Sequence, residues 1–264
     1  MPLIAKLVPR RKRTWIEIIA AEGGSIRLPA QHVPLGLCAG DTVNGDEWAR
    51  LTSAAAYYGL FDRALSMLAR REHFADELRR KLFFRERERE LVERVVAACR
   101  GRGYLDDRRA AQYLVGALLA RGGVGRAKLK AELLRRGCPR GLADETVDEL
   151  AAGLDEAAEM RRLLAARRGH FASQLAALRR KKGAGGGRPG KVEQEFRRKA
   201  GAAVIRYLAG RGFGGEDAWL AAARLIDELL SEECGAEVQS GRQEDGGHRG
   251  PPHEHGVPPH RTDG

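Results

Sequence analysis

Cysteine is scarce in this chain of 264 residues: Cys38, Cys99, Cys138 and Cys234 are the only four, and no two form a C-x-x-C pair. Such spacing excludes a zinc ribbon and a disulfide-stapled secreted scaffold, leaving ordinary reduced thiols. Long apolar runs are also missing. In the helical part the longest stretch without a charge, Ala110 to Ala120, is eleven residues, against about 20 needed to cross a bilayer. The short apolar stretch Leu3, Ile4, Leu7 and Val8 precedes the cluster Arg10, Arg11, Lys12 and Arg13, whereas a secretory signal carries its charges first. The chain is therefore expected in the cytoplasm. No Ser, His and Asp set and no Cys and His pair stands out, so the sequence shows no catalytic signature and predicts a non-enzyme.

Aromatics contribute only 6%, yet hydrophobic residues make up 43%, enough to bury a core and exclude wholesale disorder. Length implies one or two domains. The net charge of +11 is uneven: residues from Ser231 onward hold seven acids against three bases, which leaves +15 on residues 1–230. A body so charged attracts polyanions.

β character is confined to residues 14–43. Trp15, Ile16, Ile18 and Ile19, the pair Gly23-Gly24, and then Ile26 and Leu28 predict two short strands joined by a tight turn. From Asp46 to Leu230 Ala, Leu, Arg and Glu dominate, residues that lose little side-chain entropy in a helix. Arg102-Gly103-Tyr104, Arg136-Gly137-Cys138 and Arg211-Gly212-Phe213 each place a cation on a last turn, a glycine at a left-handed cap and an apolar residue that folds back. Asp106, Asp107, Asp144, Glu216 and Asp217 supply acids at the following helix starts.

The helices repeat. The pairs Leu78/Leu82, Leu129/Leu133 and Val204/Leu208 stand at i, i+4, offset by 51 and then 75 residues. An insertion in the third unit accounts for the difference, and stacked units would bury their apolar faces in an elongated, curved solenoid. The expected architecture is all-α: tandem three-helix repeats preceded by a small β-hairpin. Its parts are a basic N-terminal segment and hairpin at 1–45, a connecting helix at 46–61, repeat 1 at 62–107, repeat 2 at 108–153, and repeat 3 at 154–230. Within repeat 3, residues 169–193 form a basic, Gly-rich insertion, a basic helix followed by a flexible loop: between Glu159 and Glu193 there are ten bases and no acid. Residues 231–264, dominated by Gly, Pro, His and Gln from Gly235 onward, are expected to be a disordered tail.

Three motifs invite a chemical reading and fail it. Gly185 to Lys191 reads G-x-x-x-x-G-K, but position 192 is Val in place of the Mg²⁺-binding Ser or Thr, and a basic helix precedes it where a P-loop needs a strand. Asp106-Asp107 is better placed to cap a helix than to hold a metal. His248, His253, His255 and His260 lie among Pro and Gly without a packed shell around them, so neither metal nor cofactor is assigned.

The basic residues are the stronger signal. Arg70, Arg71, Arg79, Arg80 and Lys81 in the first repeat, and Arg126, Lys128, Lys130, Arg135 and Arg136 in the second, surround the apolar pairs. Arg179, Arg180, Lys181 and Lys182 in the insertion and Arg211 in the third repeat extend the series. Singly such charges are a solvated helix face. Repeated along a +15 body they predict a polymer partner bound through phosphates, without sequence-specific reading of bases.

Ala64-Leu65-Ser66-Met67-Leu68-Ala69-Arg70-Arg71 with Glu77-Leu78-Arg79-Arg80-Lys81-Leu82, then Gly103-Tyr104-Leu105-Asp106-Asp107, then Gly125 to Leu133 with Gly137, and Tyr207-Leu208-Ala209-Gly210-Arg211-Gly212-Phe213 together resemble the RecX family of recombination regulators. The resemblance covers roughly residues 60–230. It implies a helical-repeat protein that binds the RecA filament on single-stranded DNA and suppresses its ATP hydrolysis, strand exchange and growth, with weak non-specific DNA binding and no small-molecule substrate. Two rival readings are a helical-repeat adaptor or general nucleic-acid binder without RecA specificity, and a P-loop enzyme dependent on Lys191.

Overall fold

The computed structural model describes residues 1–11, 14–183 and 189–244, the side chains of 182, 183, 189 and 233–244 excepted. Three antiparallel strands, β1 (Ile4–Arg10), β2 (Trp15–Ala20) and β3 (Ser25–Pro29), form a sheet in the order β1-β2-β3. The Gly23-Gly24 turn joins β2 to β3, with φ of +96° and +97°. The hairpin is thus present, but it gains a third strand on its open side. Leu3 to Val8 alternates weakly and ends in Pro9; an edge strand tolerates a proline because its outer amides need no ladder partner. Ile4, Ile18 and Leu28 are buried under this sheet with Val43 and Leu51.

Ten helices follow among the described residues. The first, α1 (Gly45–Leu68), starts where the Asn44 side chain accepts the Glu47 amide at 2.8 Å. It runs unbroken through residues 61 and 62, so the expected division between a connecting helix and repeat 1 does not exist as a break. Nothing in Tyr57-Tyr58-Gly59-Leu60-Phe61-Asp62 can stop a helix that its apolar stripe continues to bury. α2 (Ala75–Phe83) and α3 (Arg89–Gly101) close a core with the end of α1, built on Phe61, Leu78, Leu82 and Val95. α4 (Asp107–Arg121), α5 (Arg126–Arg136) and α6 (Arg140–Leu150) enclose a second core on Leu129, Leu133 and Val147.

The chain divides into two compact bodies. Of the described residues, one comprises 1–156 together with 211–213, and the other 157–210 and 214–244. In the second body α7 (Glu156–Ala165), α8 (Arg168–Gly183), α9 (Pro189–Gly210) and α10 (Gly215–Glu244) bury Met160, Phe171, Leu175, Val204, Leu208 and Ile226. Leu78, Leu82, Leu129, Leu133, Val204 and Leu208 all have no exposed surface, so the repeated i, i+4 pairs are core anchors. α10 extends to Glu244, past the point where the tail was expected to lose structure; residues 245–264 lie outside the described residues. So do His248, His253, His255 and His260.

Two features recur from one repeat to the next. Asp107, the first residue of α4, accepts the amide of Ala75 at 2.7 Å and so caps α2, whose own N-cap Phe74 has no side chain able to do so. Glu156 accepts the amide of Arg126 at 2.7 Å and caps α5 in the same way. The middle helices of the first two units, α2 and α5, are thus each capped by the carboxylate that begins a later helix, α4 and α7. Glycines set how closely the turns approach. Gly137 ends α5 in the left-handed region, and a Cβ there would stand 2.9 Å from the Asp76 Cβ. Gly212, at the 75-residue offset, would place a Cβ 2.3 Å from the Lys128 amide nitrogen. Phe213 and Cys138 fold back under their glycines as expected. At the third site Tyr104 instead remains 47% exposed and Leu105 is buried in its place.

Candidate functional site

The end of α1, the face of α2 and the last turn of α5 surround an open groove of about 840 Å³ in the first body. Arg63, Arg70, Arg71, Arg80, Lys81, Arg85, Arg135 and Arg136 line it, with Glu77 the single carboxylate. Helix geometry assembles this set. Arg63 lies near the end of α1 and Arg70 in the turn that follows it, Glu77 and Lys81 are one turn apart on α2, and Arg135 and Arg136 sit where α5's carbonyl end favours cations.

The groove has a fixed inner wall. Glu77 takes both terminal nitrogens of Arg71, one at 3.1 Å, and the Lys81 ammonium at 2.9 Å. Burial acts to raise the Glu77 pKa, but hydrogen bonds from Arg71 and Lys81 outweigh it and hold the carboxyl at about 2. Arg71 also donates to the Glu72 carbonyl at 2.9 Å. Behind it the buried His73 ring meets the Arg71 carbonyl through Nδ1 at 2.9 Å and Lys81 Nζ through Nε2 at 3.1 Å. Burial lowers the His73 pKa, so the ring is neutral, donates from Nδ1 and accepts Lys81 at Nε2. Arg80 donates to the Arg136 carbonyl at 3.1 Å, fastening α2 to the end of α5. Arg135 and Arg136 share Glu132. Arg63, Arg70 and Arg85 make no ion pair among the described residues and present their guanidinium groups to solvent.

Six of the cations expected from sequence therefore converge here: Arg70, Arg71, Arg80, Lys81, Arg135 and Arg136. The others do not. Arg79 is held by Asp76 and, at 2.7 Å, by Glu93. Arg126 donates to the Ala151 carbonyl at 2.7 Å, a structural clamp between α5 and the end of α6. Lys130 pairs with Asp144, and Lys128 is exposed near the Gly212 turn. Arg211 reaches the Gly123 carbonyl at 3.3 Å. Arg179, Arg180 and Lys181 lie on α8 in the second body, where Lys181 lines a separate cleft with Arg198, Lys199 and Arg206. The side chain of Lys182 lies outside the described residues.

Sequence reasoning missed Arg63, Arg85 and the 81% exposed Phe84. Arg63 was discoverable, since it sits on α1 seven residues before Arg70, which follows just past the helix end. An exposed aromatic flanked by cations at Phe84-Arg85 was a second readable sign. The Asp106-Asp107 pair divides its work: Asp106 caps α4 through the Arg108 and Arg109 amides, and Asp107 caps α2 while accepting Arg100 at 3.0 Å. The G-x-x-x-x-G-K stretch follows α8 and runs into the first turn of α9, and residues 184–188 lie outside the described residues. Burial pushes the Cys138 thiol up to about 11 and raises that of Cys99. No helix among the described residues is long and apolar enough to cross a membrane.

No family model matches the chain. It is 37% identical over 117 residues to the regulatory protein RecX of Trichlorobacter lovleyi, an alignment covering 43% of this chain and 73% of that one. It is 38% identical over 100 residues to regulatory protein RecX of Cronobacter sakazakii, covering 34% and 60%. To that of Shigella dysenteriae serotype 1 it is 36% identical over 104 residues, covering 36% and 62%. A crystal structure of a regulatory protein RecX superposes with a TM-score of 0.52 at 16% identity, over 86% of this chain and all of that one.

Proposed function

Because the chain belongs to the RecX family of regulatory proteins, we propose that it is a non-enzymatic, cytoplasmic regulator of recombination and repair. It binds the RecA filament on single-stranded DNA and restrains ATP hydrolysis, strand exchange and filament growth. The observation that carries this reading is the groove itself. Eight cations against one carboxylate in a shared concavity suit a phosphate-rich or acidic polymer far better than a small substrate. A regulator's role is further supported by how its reactive side chains are engaged. His73 has both ring nitrogens committed to structural partners, and the buried thiols of Cys99 and Cys138 are protonated at neutral pH.

The test is single-strand-dependent ATP hydrolysis by the cognate RecA, with this protein added at substoichiometric ratios and a control for DNA sequestration. A fall beyond the control is expected, and it should be relieved by R70E/R85E, which reverses charge in the groove without removing a structural hydrogen bond. Unchanged hydrolysis with a folded protein and intact filament would refute RecA regulation and favour the adaptor reading.

A further inference from the structure

The first turns of α10 carry an apolar ridge that the second body leaves uncovered. Ala218, Ala222, Leu225, Ile226, Leu229 and Leu230 are buried and share one face of this helix. At about 3.6 residues per turn, Leu220 stands nearly opposite that face and Trp219 lies between the two. Leu220 is 40% exposed and Trp219 61%. A cleft borders each side of the ridge. One of about 360 Å³ lies toward α7, with Met160, Leu164 and Leu220 among its walls, and one of about 220 Å³ lies toward α9, with Ile205, Trp219 and Ala223.

The charges beside the ridge form a symmetric pattern. Glu216 is four residues before Leu220 and Arg224 four after, so the three follow one line on the solvent side of the helix. Neither charge is in an ion pair among the described residues, whereas further along the same helix Asp227 is held by Arg197, and Glu228 and Glu232 are both held by Arg168. In chain order the line is acid, leucine, base. In reverse order it is base, leucine, acid, so the line is its own complement.

We infer that this ridge is a homodimer contact, in which α10 of one chain lies antiparallel to α10 of a second copy across a two-fold axis at Leu220. Leu220 then meets the partner's Leu220, and Arg224 of each chain meets the partner's Glu216. A two-fold contact uses the same patch twice and therefore requires such self-complementarity. Trp219 closes the edge of the contact, and the clefts on either side leave room for the partner's side chains. A polyanion is the wrong occupant, because Glu216 and Asp217 repel it at the end where the helix amides would attract it. One helix face per chain puts the contact at the small end of stable interfaces, which bury roughly 1,200–2,000 Å², so the dimer exchanges with monomer. The inference goes beyond the proposed function and does not rest on it.

The experiment is sedimentation velocity on the full chain over a range of concentrations. The weight-average mass should rise from 28.9 kDa toward twice that value as concentration increases. L220A should weaken association roughly tenfold or more, since the side chain is lost from both halves of the contact. E216R and R224E should each stay monomeric, because each variant sets like charges against one another twice. An equimolar mixture of E216R and R224E should associate again, since both facing pairs are then of opposite charge. All three positions are exposed, so far-UV circular dichroism should be unchanged in every variant.

A mass of one chain at every concentration would overturn the dimer. Association that survives L220A and both charge variants would also overturn it, by placing the contact elsewhere. A mixture of folded E216R and R224E that stays monomeric would refute the antiparallel pairing.

Discussion

Replacing the cap glycines by alanine should produce losses ordered Gly103, Gly137, Gly212. All three have positive φ, +71°, +97° and +88°, so each alanine pays the left-handed penalty of roughly 1–2 kcal/mol. The surroundings then separate them. A Cβ on Gly103 meets nothing within 4 Å, so G103A should cost only that strain. On Gly137 it would approach the Asp76 Cβ to 2.9 Å, and a Cβ cannot swing aside, so the start of α2 must shift. On Gly212 it would stand 2.3 Å from a backbone nitrogen and 2.4 Å from the Lys128 Cβ, and overpacking of this kind adds roughly 1–3 kcal/mol. At about 2–4 °C per kcal/mol for a body of this size, G103A should lower the first body's melting temperature by several degrees and G212A by at least twice as much. Thermal unfolding followed by far-UV circular dichroism measures this. Equal shifts for the three variants would refute the idea that repeats are set at glycine-to-backbone contact distance.

The capping carboxylates make a second test: D107A should destabilise by roughly 1–2 kcal/mol, because an N-cap bond and the Arg100 partner are lost together, and E156Q should retain more stability than E156A in urea titration. Acid should weaken the fold through two groups. His73 has a folded pKa below 6.5, so the unfolded chain takes up the proton first and stability declines as pH falls through that value. Glu77, at about 2 against an ordinary 4.5, contributes stability that is complete above 4.5 and disappears as pH falls from there toward 2. In the E77Q variant the pH dependence of the melting temperature between about 4.5 and 2 should flatten; an unchanged profile would show that Glu77 does not carry it. Deleting residues 179–191 should weaken nucleic-acid binding and reduce its salt slope if the α8 basic run touches the polymer, and unaltered affinity and slope would remove that segment from the interface.

Much of the fold was legible because it depends on local chemistry. The i, i+4 apolar pairs, the cap glycines and the Gly23-Gly24 turn each act within a few residues, and the structure buries or bends them as their chemistry requires. Errors arose where a local rule had a distant competitor. Leu3 to Val8 became a strand because β2 offered a free edge, Tyr104 yielded its place to Leu105 because the core admits one of the two, and α1 passed its expected boundary because its stripe still had a partner to cover it.

The candidate site divides along the same line. A run of bases on a helix says that positive charge is present, and the composition of residues 1–230 determined that this protein carries a large excess of it. Which cations act together is a question of three-dimensional neighbours. Arg79 and Lys130 read the same as Arg80 and Arg70 in the sequence, yet acids from other helices pair with the first two. Arg126 and Arg211 donate to backbone carbonyls, while Arg63, Arg70 and Arg85 remain unpaired. Periodicity and capping chemistry thus determined the helical repeats from sequence alone. Only the tertiary structure decided which side chains form the groove, because an ion pair or a shared concavity joins residues that the chain holds tens of positions apart.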